Sequence, residues 1–331
     1  MQRIKIAQIG TSQYSHGSEV WNTLRQQDDI YELVGFALPE NEREKFPNRM
    51  VDFKGYREMT VEEILNDPEI TAVAVETEEI YQAKYALAVL NAGKHLHLEK
   101  PGSCSLSDFE NIVNTAKEKN LTLSLGYMYR FNPVISDAIE RVKKGELGNI
   151  ISVEAQMNCK HNIQLREWLG TFPGGIMYFL GCHLIDLIYS IQGEPEEIIP
   201  YNRSTGIDDV HTVDFGMVLY KYKNGVSFAK VCDNEVGGFE RRQLVIIGEK
   251  GTIEIKPLEY YTPRGMFTDF TISKGKSDTG NPCGKGKIAH HRYDAMLRNF
   301  AELIGGKGNP FSYDYELNLF KLLLKSCEKG R

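Results

Sequence analysis

Short apolar runs separated by amphipathic stretches mark the first 125 residues. "RIKIAQIG", "YELVGFAL", "ITAVAV", "KHLHLE" and "LTLSLG" each have the length and β-branched or leucine-rich character of a buried strand. Between them, helical periodicity predicts helices over 19–26, "TVEEILND", 80–91 and 107–119. The last is expected to open on Ser107-x-x-Glu110 capping chemistry. Strands buried on both faces and joined by helices predict a parallel, doubly wound α/β sheet with right-handed crossovers.

After Gly126 the rhythm changes. A helix over 133–144, ended by Gly145, precedes the strand "IISVEAQM", and a further helix opens after "FPGG" and runs to Gln192. Strands are then expected over 213–220, 226–232, 243–247 and 252–255. They are joined by Asn224-Gly225 and Lys250-Gly251, turns that favour antiparallel pairing. Residues 273–289, "SKGKSDTGNPCGKGKIA", are rich in Gly, Ser and Lys and read as a loop, and two helices close the chain. The expected division is a dinucleotide-binding domain over 1–125 and an α+β substrate and oligomerisation domain over 126–331.

Charge narrows the partners. The net charge is −6, and residues 1–125 hold 13 Lys and Arg against 20 Asp and Glu. A basic nucleic-acid footprint is absent. No apolar run reaches the ~18 residues of a membrane span, and no signal-peptide pattern precedes the first strand. Six cysteines lie far apart without a Cys-x-x-Cys pair, which fits a reducing compartment and argues against a zinc site. The expectation is a soluble, cytoplasmic protein with no membrane or nucleic-acid partner.

Ligands of an open α/β sheet gather beyond the carboxyl ends of its strands. The first such end reads Gly10-Thr11-Ser12-Gln13-Tyr14-Ser15-His16-Gly17, where only Gly10 satisfies a Gly-x-Gly-x-x-Gly fingerprint. The second strand ends at Pro39-Glu40, where Glu40 could reach a ribose, although "ALPENERE" reads more simply as a solvated charge run. The fourth ends in Glu99-Lys100-Pro101. Strand alternation sets Leu96, Leu98 and Lys100 on one face and His95, His97 and Glu99 on the other. A metal bound by that second set is not expected, because an inward strand face seldom leaves room for an ion. On the helix "GGIMYFLGCHLIDLIYSIQG", His183 and Asp186 stand one turn apart, Asp186 being the obvious partner of the imidazole. A lysine and a histidine brought to one cleft are plausible acid–base groups.

In this order the first-strand glycine loop, "GKHLHLEKP", "GYMYRFNP", "GELGNIISV" and "GGIMYFLGCHLIDL" resemble the Gfo/Idh/MocA oxidoreductases. The resemblance spans nearly the whole chain. It implies a Rossmann domain followed by a domain with a large, mainly antiparallel open sheet, which commonly supports homodimers or homotetramers. It further implies NAD- or NADP-dependent hydride transfer at a hydroxyl carbon of a sugar, cyclitol or related polyol. Lys100, His183 and Asp186 match the family's catalytic positions, with Glu99 and Pro101 completing the lysine motif. Cofactor contacts are expected from Gly10, Thr11, Ser12, Gln13, Tyr14, Glu40, Thr77 and Glu99, and substrate contacts from Lys100, Tyr127, Arg130, Trp168 and His183.

The chain departs from the family pattern at several places. Phe179 stands where an aspartate is usual, and Glu76-Thr77-Glu78-Glu79 replaces Ala-Thr-Pro-Asn, with Gln82 in the place of a later histidine. Acidic surroundings favour NAD over NADP, although Arg43 leaves a 2′-phosphate open. Two alternatives remain at this level: a carbohydrate-binding protein of the same fold that has lost its cofactor, and an enzyme that cleaves glycosides with the help of NAD.

Overall fold

The computed structural model describes residues 3–275 and 281–329. Along the chain the first elements are β1 (Ile4–Ile9), α1 (Gly17–Gln26), β2 (Tyr31–Ala37), α2 (Glu42–Lys45), α3 (Val61–Asn66) and β3 (Ala72–Val75). They are followed by α4 (Glu79–Asn91), β4 (His95–Leu98), α5 (Leu106–Glu118) and β5 (Leu123–Leu125). The five strands form one parallel sheet in the order β2-β1-β3-β4-β5. Its core residues, among them Ile6, Val73, Val75, Leu96 and Leu98, are inaccessible to solvent, as strands covered by helices on both faces must be.

The remaining elements are α6 (Pro133–Lys143), β6 (Ile150–Asn158), α7 (Ile163–Trp168), α8 (Cys182–Gln192), β7 (Glu197–Pro200), β8 (Phe215–Tyr222) and β9 (Gly225–Cys232). Then come β10 (Gln243–Gly248), β11 (Gly251–Ile255), β12 (Tyr260–Thr262), β13 (Gly265–Lys274), β14 (Asn281–His290), α9 (Asp294–Ile304) and α10 (Tyr313–Ser326). Here the sheet has nine strands, ordered β12-β13-β11-β10-β6-β9-β8-β7 with β14 on β13. Among the described residues of this sheet, only the β6–β9 pair is parallel. The expected fold class, a doubly wound parallel sheet followed by a large, mainly antiparallel one, is what the chain adopts.

Two compact units result. One joins Met1–Met128 to Tyr293–Phe320, and the other joins Tyr129–Arg292 to Lys321–Arg331. A linear division into 1–125 and 126–331 does not include this return of the chain. Within the first unit the return is fixed by Tyr31, whose hydroxyl donates to the Leu297 carbonyl at 2.5 Å, and by Phe109 stacked on Phe320.

Three local expectations need correction. The segment read as a loop over 273–289 carries β14, which pairs with β13 over nine residue pairs. Residues 276–280 of that segment lie outside the described residues. The cap of α5 is Ser105, which accepts from the Asp108 amide, instead of Ser107. The helix after "FPGG" begins as a π-helical turn over Met177–Gly181 before α8. No helix among the described residues is long and apolar enough to cross a membrane.

Candidate active site

The loop after β1 is tightly held. Gly10 sits at φ 90°, and a Cβ there would lie 2.5 Å from Thr77 Cγ2, so only glycine passes so close to the turn after β3. The Ser12 amide donates to the Glu76 carbonyl at 3.0 Å, and the Ser15 hydroxyl donates to the Ser12 carbonyl at 3.1 Å and receives the Gly17 amide at 3.2 Å. The serines at 12 and 15 therefore rebuild with side-chain and main-chain bonds a turn that glycines usually make. Gln13 is exposed, with its carbonyl accepting from Arg49, and Tyr14 is half-buried.

Around this loop, hydroxyls lie buried without a protein partner. Thr11 Oγ1, Ser12 Oγ and Thr77 Oγ1 have none, although buried polar groups are ordinarily bonded. Hydroxyl donors beside a glycine that excludes any side chain suit phosphate and ribose oxygens. On this observation the residues fit a dinucleotide.

The acids at the strand ends differ in their surroundings. Glu78 pairs with Lys45 at 3.3 Å. Glu76 and Glu79 are instead buried, and neither has a hydrogen-bond partner for its carboxyl oxygens. Burial, reinforced for Glu76 by Glu99, raises Glu76 well above the usual carboxylate range and takes Glu79 up to about 7. Shifts in this direction reduce the negative charge these groups carry near neutral pH and so weaken the repulsion of a dianionic cofactor. Glu40 is turned to α4, where its Oε1 accepts from Lys84 Nζ and the Tyr85 hydroxyl, each at 2.6 Å. Arg43 is paired with Glu58.

At the tip of β4, Lys100 is almost fully buried, with its Nζ 3.8 Å from Glu99 Oε1. Burial pushes Glu99 up to about 7, opposed mainly by the Lys100 ammonium. A Cβ at Gly126 would meet Glu99 Oε2 at 2.7 Å, so that glycine makes room for the carboxyl. Behind it His97 is inaccessible, 3.9 Å from Glu76 Oε1 and packed on Phe300, and burial lowers it to about 4. The sequence named these residues without revealing that His97 and Glu76 lie together in the interior. Among the described residues no group of His, Cys, Asp and Glu could hold a metal ion.

The second unit carries the helix site. His183 and Asp186 are both buried on α8. Arg130 Nε reaches both Asp186 oxygens at 3.0 Å, and its Nη2 lies 2.8 Å from Oδ1. The aspartate thus has a guanidinium fork as partner, which the helical spacing to His183 did not foretell. The Tyr129 ring stands edge-on to His183, centroids 5.0 Å apart, and its hydroxyl donates to Glu259 at 2.6 Å. Glu259 also accepts from Arg242 and Arg292, and despite burial these cations hold it below the usual carboxylate range. Trp168 is half-buried and meets Phe172 and Phe179 edge-on, at 4.6 and 5.5 Å. Phe179, in the place of the family's aspartate, therefore belongs to an aromatic wall. Tyr127, from the first unit, is buried.

Both halves of the chain match descriptions of one family. Residues 4–127 match "Oxidoreductase family, NAD-binding Rossmann fold" and residues 135–254 match "GFO/IDH/MocA C-terminal domain". The chain belongs to the Gfo/Idh/MocA oxidoreductase family. Among its relatives is the uncharacterized oxidoreductase YhhX of Escherichia coli, 33% identical over 142 residues, which are 42% of this chain and 40% of that protein. Another is the scyllo-inositol 2-dehydrogenase (NADP(+)) IolW of Bacillus subtilis, 30% identical over 165 residues, 49% of this chain and 46% of that one. The matched stretch thus spans less than half the length of either relative. A crystal structure of aldose-aldose oxidoreductase from Caulobacter crescentus, complexed with glycerol, superposes with a TM-score of 0.80. It shares 17% identity and covers 98% of both chains, a likeness of fold.

Proposed function

We propose that this Gfo/Idh/MocA protein is an NAD(P)-dependent dehydrogenase or reductase acting at a hydroxyl carbon of a sugar, cyclitol or related polyol. The observation that carries the reading is Lys100, buried beside Glu99 at the end of β4 in a unit whose Gly10 loop fits a dinucleotide. A bound nicotinamide would supply the hydride acceptor. Lys100 and His183 would bind the reacting hydroxyl, and one of them would take its proton. Asp186, fixed by Arg130, would hold the α8 end of the site, and Trp168 with Phe179 would offer aromatic faces to a ring substrate. The activity, the polyol class, a cytoplasmic location and a homodimer or homotetramer built through the nine-stranded sheet all belong to this proposal. The test is to follow NADH or NADPH formation with a panel of sugars and cyclitols in the wild type, K100M and H183A. Turnover by the wild type that both variants lose supports the reading, and turnover unchanged in K100M sinks it.

One observation favours a second reading. The amides of Thr11, Ser12 and Gly17 are already engaged by acceptors of the chain itself. A protein that binds carbohydrate without cofactor would show that pattern. Ligand at 100 times its dissociation constant stabilises a fold by ~2.7 kcal/mol. A melting shift with sugars but none with NAD(H) or NADP(H) would therefore establish the binder.

A further inference from the structure

The acid that faces the glycine loop is two residues beyond the one the sequence offered. The chain leaves β2 through Glu40 and Asn41, both at φ 59°, and the Glu42 amide returns to the Pro39 carbonyl at 3.1 Å. This left-handed pair reverses the chain. It sends the Glu40 carboxylate to Lys84 and Tyr85 and turns Glu42 back toward the first strand. Glu42 Oε2 then accepts from the Thr11 amide at 2.9 Å, one residue past Gly10. Ile9 and Ala37 are paired across β1 and β2, so this contact lies beyond the adjoining ends of the two strands. Glu42 Oε1, fully buried, has no partner.

We propose that Glu42 is the ribose-reading acid of this chain and sets its preference for NAD. In doubly wound sheets an acid beyond the second strand bonds the adenosine ribose hydroxyls, whereas a nearby arginine accommodates a 2′-phosphate. Pro39 cannot do this, and Glu40 is committed to α4. Glu42 keeps Thr11 on one oxygen and has the other to offer a ribose hydroxyl. Arg43, the cation next to it, is held by Glu58. Burial also raises Glu42, to about 8, as expected of a carboxyl whose second oxygen is unsatisfied. The inference rests on dinucleotide binding, though not on the identity of the polyol or on hydride transfer.

The test measures dissociation constants for NADH, NADPH and ADP-ribose by calorimetry in the wild type, E42A, E42Q and E40A. Loss of a hydrogen bond to an acid corresponds to about 10–100-fold in affinity. E42A is expected to weaken NADH and ADP-ribose by that factor and NADPH by less than about threefold, with E40A within about threefold of wild type throughout. Should E42A fail to fold, E42Q retains an acceptor for Thr11. It is expected to shift the NADPH-to-NADH affinity ratio about tenfold toward NADPH. An unchanged ratio in E42Q, unchanged NADH affinity in folded E42A, or a loss carried by E40A overturns the assignment, as does a wild type that binds none of the three ligands. A wild type that binds ADP-ribose through Glu42 yet oxidises no polyol keeps this inference and removes the dehydrogenase reading. Polyol oxidation with E42A binding NADH as tightly as wild type does the reverse.

Discussion

The candidate sites of the two units differ in how they treat buried carboxyls. In the second, Asp186 is gripped by Arg130 and Glu259 by Arg242, Arg292 and the Tyr129 hydroxyl. In the first, Glu76 and Glu79 are as deeply buried but have no hydrogen-bonding partner, and the hydroxyls of Thr11, Ser12 and Thr77 are likewise unmatched. Burying an ion is tolerated when it is paired, whereas an unpaired acid retains its proton. The helix site is therefore finished by the chain itself. The strand-end site is left polar and unsatisfied, the condition of a surface whose remaining bonds come from a ligand.

Mutations sharpen this contrast. The largest effect is expected on turnover, where K100M or H183A should each lower kcat by about 10²–10⁴-fold, the usual range for a lost acid–base group. For stability, D186N strands a buried guanidinium and should cost about 3–5 kcal/mol in urea unfolding. E76Q removes a carboxyl with no partner, so at pH 8 it should leave stability unchanged or raise it. A comparable loss in E76Q would erase the distinction between the units. G10A forces a Cβ into left-handed backbone against Thr77 and should cost ~1–3 kcal/mol, read in the same way.

The smallest effect concerns pH. Glu79 and Glu99 are raised to about 7, Glu42 to about 8, and Glu76 lies well above the usual range. Because their folded-state values exceed those of the unfolded chain, the folded state holds protons that the unfolded one has released. That contribution is complete below about pH 4.5 and is lost as pH rises through 7 to 8. E79Q cannot titrate there. The melting temperature of E79Q relative to wild type should therefore climb between pH 5.5 and 8.5, and a constant gap would contradict the buried-acid description.

Much of the fold could be read from periodicity because parallel strands covered on both faces are continuous apolar runs. Leu96 and Leu98 declared β4, and Lys100 followed at its tip. The same logic failed at β14, whose "NPCGKGKIAH" lacks apolar alternation and is ordered by pairing with β13, a partner that local pattern does not reveal. At α5, Ser105 and Ser107 each precede an acid by three residues, and composition cannot rank two equivalent caps. The catalytic candidates were legible as motifs, yet their surroundings were not. Arg130 reaches Asp186 from 56 positions away, and Glu42 reaches Thr11 from 31. Whether Glu76 and Glu79 face outward or inward could not be read from "ETEE", and only the structure shows both buried.

The most direct test of the central claim is titration of wild-type protein with NADH, followed by addition of a cyclitol and sugar panel with NAD while NADH absorbance is recorded. The account predicts saturable NADH binding and an absorbance rise with at least one polyol, abolished in K100M. Absence of nicotinamide binding in a protein that still binds sugars would contradict it.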